Sequence, residues 1–355
     1  MNKPLLALED VTKHFVVRRS LIGTPAAVVR AVDGVALTVA AGETLALVGE
    51  SGCGKSTVGR LALRLLEPTA GMVRLDGRDL ASLSGTELRR ARAGAQLIFQ
   101  DPYGSLNPRM TVGEMLAEPL LLHTDLSPAS RRERVADLLR VVGLKGEHVQ
   151  RYPHEFSGGQ RQRVAIARAL AVEPKLIVCD EPVSALDVSI RSQILNLLKD
   201  LQQGLGIAYV FISHDLAVVK HIATRVAVMY LGRIVENAAC DELFAEPRHP
   251  YTQALLSAVP VLSARERQQR RLLPGDPPSP VNPPSGCHLH PRCAHAKDIC
   301  VRSRPELVAA GDAHATACHR WHDIVTSLPV VSAAGPEFSV SLQRLFRAFD
   351  ARIED

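Results

Sequence analysis

The run Leu45-Ala46-Leu47-Val48-Gly49-Glu50-Ser51-Gly52-Cys53-Gly54-Lys55-Ser56-Thr57 passes from an apolar segment through three glycines into a helical pattern, Val58 to Leu66. Strand, glycine turn and helix in that order are the setting in which G-x-x-x-x-G-K-[ST] acts as a phosphate loop. Glycine lets the backbone curl until successive N–H groups point inward, an anion nest that side chains would obstruct. The positive end of the following helix faces the same point. Gly49, Ser51, Gly52, Gly54 and Thr57 are candidate cradle residues. Lys55 is placed to reach terminal phosphates, and Ser56 to ligate Mg²⁺. A glycine-rich turn that binds nothing is the competing reading, and the full pattern in its proper setting favours a nucleoside triphosphate site.

Composition bounds the rest. A chain of 355 residues exceeds one ordinary core, so two or three domains are expected. Hydrophobic residues make up 46%, as in soluble globular proteins, and no apolar run of about 18 residues suggests a membrane span. Met1-Asn2-Lys3-Pro4 lacks the apolar core of a secretory signal, so a cytoplasmic location is expected. The net charge of +5 is small for this length, and the clusters Arg131-Arg132-Glu133-Arg134 and Arg265 to Arg271 mix with Glu and Gln. Without interleaved aromatics they read as solvated helix faces, and no nucleic-acid partner is expected.

Leu6 to Val11 and Val35 to Val39 read as strands, with Arg18 to Arg30 as a surface loop between them. Phe15 either stacks on a purine or sits in the core. Met72 to Leu75 followed by Asp76-Gly77 reads as a strand with a hairpin turn. Ala95 to Phe99 delivers Gln100 to a strand end, and such ends face the ligand crevice of an open α/β sheet. A solvated glutamine is the plainer alternative there. From Asp101 to Phe156 strand-like runs give way to helical periodicity, in Thr111 to Leu122 and Pro128 to Val142, which reads as a helical insert. Phe156-Ser157-Gly158-Gly159-Gln160 then caps an Ala-, Arg- and Ile-rich helix. That is a second helix start open to an anion, although such a cap alone is more often structural.

Lys175 to Glu181 is an apolar strand ending in two carboxylates. Desolvating paired acids is costly, so a chemical use is expected: Asp180 toward Mg²⁺, Glu181 polarising an attacking water. A surface acid pair is the alternative. Ser184 to Asp187 opens a helix running to Gln203. Ile207 to Ile212 is a further strand, ending at His214, which can contact a transferred γ-phosphate. Arg225 to Leu231 and Ile234 to Glu236 complete the sheet, and Asp241 to Val259 is helical, broken at Pro247 to Tyr251. Leu273 to Gly286 carries six prolines and reads as a semi-rigid connector. Phe338, Leu342, Leu345, Phe346, Phe349 and Ile353 share one helical face.

Taken in order, Gly49 to Ser56, Gln100, Phe156 to Gln160, Asp180-Glu181, Asp187 and His214 resemble the sites of ATP-binding cassette (ABC) subunits, over roughly residues 5 to 260. One departure is Phe156, where that family usually has Leu, at a position that packs. Gln100 to Pro108, Arg248 to Leu256 and Asn282 to Cys287 are similar to the dipeptide and oligopeptide importer branch, most of all to DppF-type subunits. The resemblance implies an α/β phosphate-loop cassette. Its core would be residues 1–100 and 157–240 with an N-terminal β-subdomain, and its helical signature subdomain 101–156. Residues 241–322 would form a C-terminal oligopeptide-transporter-type extension carrying a four-cysteine cluster, and 323–355 a tail with the amphipathic helix.

It also implies an ATPase, using ATP and Mg²⁺, that powers uptake of dipeptides or oligopeptides at the cytoplasmic face of the inner membrane. Its partners would be a second, related cassette chain, two permease subunits and, indirectly, an extracytoplasmic peptide-binding protein. ATP would lie between one subunit's phosphate loop and the other's Ser157-Gly158-Gly159-Gln160. Phe15 would stack on adenine, Gln100 would sense Mg²⁺ and the water, and Glu181 would act as base. His214 would hold the γ-phosphate and Asp187 would link the two sites. A nickel or other small-solute importer is the alternative. A non-transport ABC ATPase ranks lower, since the chain has one cassette and no sustained heptads.

The cysteines Cys287-x5-Cys293-x6-Cys300-x17-Cys318 stand apart. Disulfides are not expected in the cytoplasm. Zinc sites usually use C-x₂₋₄-C knuckles, absent here. Four irregularly spaced thiolates suit an iron–sulfur cluster, and the resemblance implies [4Fe–4S], with zinc second and idle cysteines third. The group's role would be to hold a stretch that has little apolar core.

Overall fold

The computed structural model describes residues 3–19, 25–258, 273–311 and 313–324. The stretches Arg265 to Arg271 and Phe338 to Ile353 lie outside the described residues.

Two sheets organise the chain. Strands β1 (Leu6–Arg19), β2 (Pro25–Val39), β4 (Ala70–Leu75) and β5 (Arg78–Asp79) form an antiparallel sheet in the order β2-β1-β4-β5. The second sheet has eight strands. It contains β3 (Thr44–Val48), β6 (Ala95–Ile98), β7 (Leu176–Asp180), β8 (Ala208–Ser213), β9 (Arg225–Tyr230), β10 (Arg233–Ala239), β11 (Val308–Ala309) and β12 (Ala315–Thr316). Their order is β11-β12-β10-β9-β3-β8-β7-β6, parallel from β9 to β6 and antiparallel beyond. Strands β3, β7 and β8 are buried along their whole length, as central parallel strands covered on both faces must be.

Helix α1 (Lys55–Ala62) begins at the phosphate-loop lysine and ends earlier than the periodicity to Leu66 suggests. Arg64 turns the chain with φ of 49°, and its guanidinium donates to the Leu80 and Leu83 carbonyls, which stops the helix. Helix α2 (Gly85–Ala93) has no apolar stripe and was invisible to periodicity. Its signal is the capping box: the Ser84 N–H donates to Glu87 at 3.0 Å.

The insert folds as α3 (Pro102–Ser105), α4 (Val112–His123) and α5 (Pro128–Val141). With α6 (Gly158–Leu170) and α7 (Val188–Leu205) it shares one core, which includes Leu116, Leu139, Ile166 and Leu198. Helices α8 (Leu216–Ile222), α9 (Cys240–Ala245) and α10 (Pro250–Ser257) cover the other end, with Leu289 buried among them. The short α11 (Asp298–Arg302) follows.

Two expectations need correction. Arg18 to Arg30 is not a loop throughout: Pro25–Arg30 belongs to β2, with Val28 and Val29 paired to Val16 and Phe15. Gly34 sits within that long strand with φ of 71°, the ladder shifting register nearby. Nor is the sheet complete at Ile234 to Glu236. Beyond the prolines, β11 and β12 extend the main sheet, β12 pairing with Glu236 and Asn237 of β10. Two-residue strands carry no readable alternation.

Candidate functional site

Gly49 to Thr57 joins β3 to α1. Gly49, Gly52 and Gly54 have φ of 152°, 79° and 110°, and a Cβ on Gly54 would strike the Ala31 carbonyl. Gly49 and Gly54 need glycine both for conformation and for close approach, Gly52 for conformation alone. Ser51 and Gly52 are exposed, while Ser56 and Thr57 are half-buried at the start of α1. The buried Lys55 turns its Nζ back on the loop, donating to the carbonyls of Gly49 at 2.8 Å and Glu50 at 2.9 Å.

Three neighbouring parallel strands end around this loop. Ser56 Oγ donates to Asp180 Oδ1 at 2.7 Å, tying α1 to the tip of β7. Burial raises the Asp180 carboxyl above the usual range, against the Ser56 hydrogen bond and the Arg60 and Lys55 charges, which favour its ionised form. Glu181 follows with φ of 48°, its N–H donating to the Ile212 carbonyl at 3.0 Å. A non-glycine residue in the left-handed region is strained by about 1–3 kcal/mol. The result is that Glu181 points its carboxylate between two partners. Gln100 Nε2, beyond β6, donates to it at 3.0 Å, and His214 Nδ1, beyond β8, lies 3.1 Å from its other oxygen.

Ser157 to Gln160 forms a separate group. Ser157 caps α6 by accepting from the Gln160 N–H at 3.3 Å, and Gln160 Oε1 accepts from the Ser157 N–H at 3.0 Å. Gly158 and Gly159 lie against Leu186 and Ile190, so the cap touches the start of α7, where exposed Asp187 is the N-cap. Among the described residues no hydrogen bond joins this group to Lys55, Ser56 or Glu181. Phe15 is 37% exposed on β1, with Lys13 Nζ 5.3 Å from the ring centre, so it is not a core residue.

Three residues at the loop escaped the sequence reading. Tyr251 accepts from the Glu50 N–H at 2.8 Å, Arg292 Nη1 lies 3.2 Å from the Glu50 carboxylate, and Tyr230 joins Arg292. Nothing in the loop motif itself points to them.

Cys287, Cys293, Cys300 and Cys318 line one cavity together with Leu289 and His290. Burial pushes the thiols up, Cys287 to about 11 and Cys318 to about 12, with Cys293 moved the same way; neighbouring thiols add to each shift. Among the described residues, no three His, Cys, Asp or Glu side chains close on a geometry that holds a metal ion.

A glycine loop of phosphate-binding form, a buried aspartate on its serine and a glutamate at the same strand tip are the marks of a phosphate-loop nucleoside triphosphatase. Residues 32–184 match the ABC transporter family, and residues 235–300 match the C-terminal region of oligopeptide/dipeptide transporters. The chain belongs to the ATP-binding subunits of the ABC transporter family. It is 56% identical to a probable peptide ABC transporter ATP-binding protein, y4tS, of Sinorhizobium fredii, the match covering 90% of each chain. It is 52% identical to the dipeptide transport ATP-binding protein DppF of Escherichia coli, over 86% of this chain and 92% of that one. In structure it is similar to the ABC protein MJ0796, solved as a post-hydrolysis dimer bound to ADP and Pi. That likeness has a TM-score of 0.60 and 31% identity, over 66% of this chain and 98% of the other.

Proposed function

We propose that this chain is the ATP-hydrolysing subunit of an importer for dipeptides or oligopeptides. The observation that carries the hydrolytic part is the placement of Glu181 between Gln100 and His214, one residue beyond the Asp180 that receives Ser56. The similarity of residues 235–300 to the peptide-transporter C-terminal region supports the substrate class.

The loop amides from Gly49 to Thr57, including those of Ser51, Gly52 and Gly54, receive the phosphates, and Lys55 leaves the loop carbonyls to meet their charge. Ser56 and Asp180, with Gln100, are the residues that would hold Mg²⁺, which when bound offsets charge on the phosphate oxygens. Glu181 accepts the proton of the attacking water, and His214 and Gln100 orient its carboxylate and contact the transferred group. Phe15 stacks on the base. Ser157 to Gln160 caps the nucleotide of a facing cassette, with Asp187 linking the two sites, which accounts for a second open helix start on one chain.

The facing cassette is a related chain, and the pair docks on two permease subunits at the cytoplasmic face of the membrane, fed by an extracytoplasmic binding protein. No helix among the described residues is long and apolar enough to cross a membrane, which accords with peripheral attachment.

We assign the four cysteines to a [4Fe–4S] cluster. All four line one cavity, and their spacing along the chain lacks the paired C-x₂₋₄-C knuckles usual for zinc. Thiols raised this far stay protonated unless a cationic centre draws off their protons. When bound, the cluster would clamp residues 287–318 together.

The test is uptake of a labelled dipeptide by cells carrying Glu181→Gln in place of the native chain. Loss of uptake, restored by the native sequence, is expected. Unchanged dipeptide uptake would move the substrate to nickel or longer peptides.

A further inference from the structure

The C-terminal stretch reaches the phosphate loop directly. Glu50, the second residue of the loop, is gripped twice: its N–H donates to Tyr251 Oη at 2.8 Å, and its carboxylate faces Arg292 Nη1 at 3.2 and 3.4 Å. Arg292 is only 7% exposed. Its Nε donates to the Pro274 carbonyl at 3.2 Å and its Nη1 to Tyr230 Oη at 3.4 Å, while the Tyr230 and Tyr251 rings lie 4.7 Å apart. A guanidinium this deep requires a counter-charge, and Glu50 is the carboxylate that meets it.

The geometry also fixes what moves with Arg292. It closes the short turn His290–Arg292, in which the His290 N–H donates to Cys287 and the Arg292 N–H to Leu289, at 3.0 and 2.9 Å. The Cys287 N–H in turn donates to the Cys300 carbonyl at 2.8 Å. On the other side, the Glu50 carbonyl is one of the two that hold Lys55. A continuous set of contacts thus runs from the cysteine cavity through Arg292 and Glu50 to the lysine of the loop. Without Arg292, Glu50 would present an unbalanced negative charge beside a nest built for an anion, and the loop would lose its outer anchor.

We propose that Arg292 is a positioning residue of the nucleotide site, holding and neutralising Glu50 so that the loop stays open to a triphosphate. Through it the cysteine-bearing stretch becomes part of that site. This rests on the nucleotide reading of the loop.

The test uses the full-length chain with MgATP, affinity read by calorimetry, and ATPase KM and kcat read in the assembled complex. Arg292→Met is expected to weaken MgATP by about tenfold, with KM rising in step and kcat changing little. Arg292→Lys should recover part of the loss. Removing both charges, Arg292→Met with Glu50→Gln, should cost no more than Arg292→Met alone, because the two act as one unit. Arg302→Gln, on an exposed pair of the same stretch, should leave affinity unchanged. If Arg292→Met does not fold, Arg292→Lys and Tyr251→Phe carry the measurement, each loosening one grip on Glu50 while its charge stays. Native affinity in the Arg292 and Tyr251 variants, while Lys55→Ala still abolishes binding, overturns the proposal and leaves the nucleotide reading standing. A fall in unfolding midpoint and kcat at constant KM also overturns it, making Arg292 a support of the fold alone. Retention of MgATP by Lys55→Ala overturns the nucleotide reading itself.

Discussion

At the scale of single residues, what was legible was whatever a short stretch of chain dictates. Glycine at 49, 52 and 54 followed by Lys55 and Ser56 states its geometry locally, because backbone conformation and helix start are set within ten residues. The strand-tip positions Gln100, Glu181 and His214 could be grouped because each ends an apolar run. Their mutual hydrogen bonds could not, since those depend on β6, β7 and β8 being neighbours and on Glu181 taking a left-handed conformation. Arg292 was illegible: its partner is 242 positions away, and an arginine between a proline and a cysteine has no pattern. Two outcomes belong to this scale. Glu181→Gln should bind ATP but hydrolyse it about 10²- to 10⁴-fold more slowly, measured as steady-state phosphate release; normal turnover would remove Glu181 from its role. Gly54→Ala sets a Cβ against the Ala31 carbonyl at φ of 110°, and should cost at least about tenfold in nucleotide affinity by titration.

Among elements, the long periodic ones were readable and the short ones were not. Helices α4, α5 and α7 each bury a recurrent apolar face, whereas α2 buries none and β12 has two residues. What secures β12 is the residue just before it: His314 Nε2 lies 2.7 Å from Glu236 on β10, both side chains fully buried, and its Nδ1 lies 2.9 Å from the partly exposed Glu242. Burial opposes the imidazolium, but these two carboxylates prevail and raise its pKa above the ordinary value of about 6.5. A raised folded value means the pair's stabilisation is fully present below about pH 6.5 and is lost as pH rises through the folded value. His249 has the opposite sign. Burial lowers it to about 4, so it favours the unfolded chain as pH falls from about 6.5 toward 4. Chemical denaturation across pH should show His314→Gln flattening the alkaline limb and His249→Gln the acid limb. Unchanged limbs would remove these residues from the pH dependence.

At the scale of the molecule, the α/β cassette was the most legible feature, because an ordered series of strand tips constrains one sheet. Residues 273–311 and 313–324 were least so, since Arg292, His314 and β12 make their contacts with strands and loops far away in the chain. If the four cysteines hold a cluster, anaerobically purified protein should contain iron and acid-labile sulfide in about equal amounts. Stoichiometric zinc without either would replace that assignment. Chelation should lower the unfolding midpoint and, through Arg292, weaken MgATP together. The pairing of β12 with Glu236 and Asn237 has a separate consequence. Cut back after Ser257, the cassette would bare main-chain amides and carbonyls along the rim of β10, a ready template for a second molecule to zip onto. Shortened versions should therefore be gregarious, scattering light and eluting as multimers at concentrations where the whole chain stays dispersed.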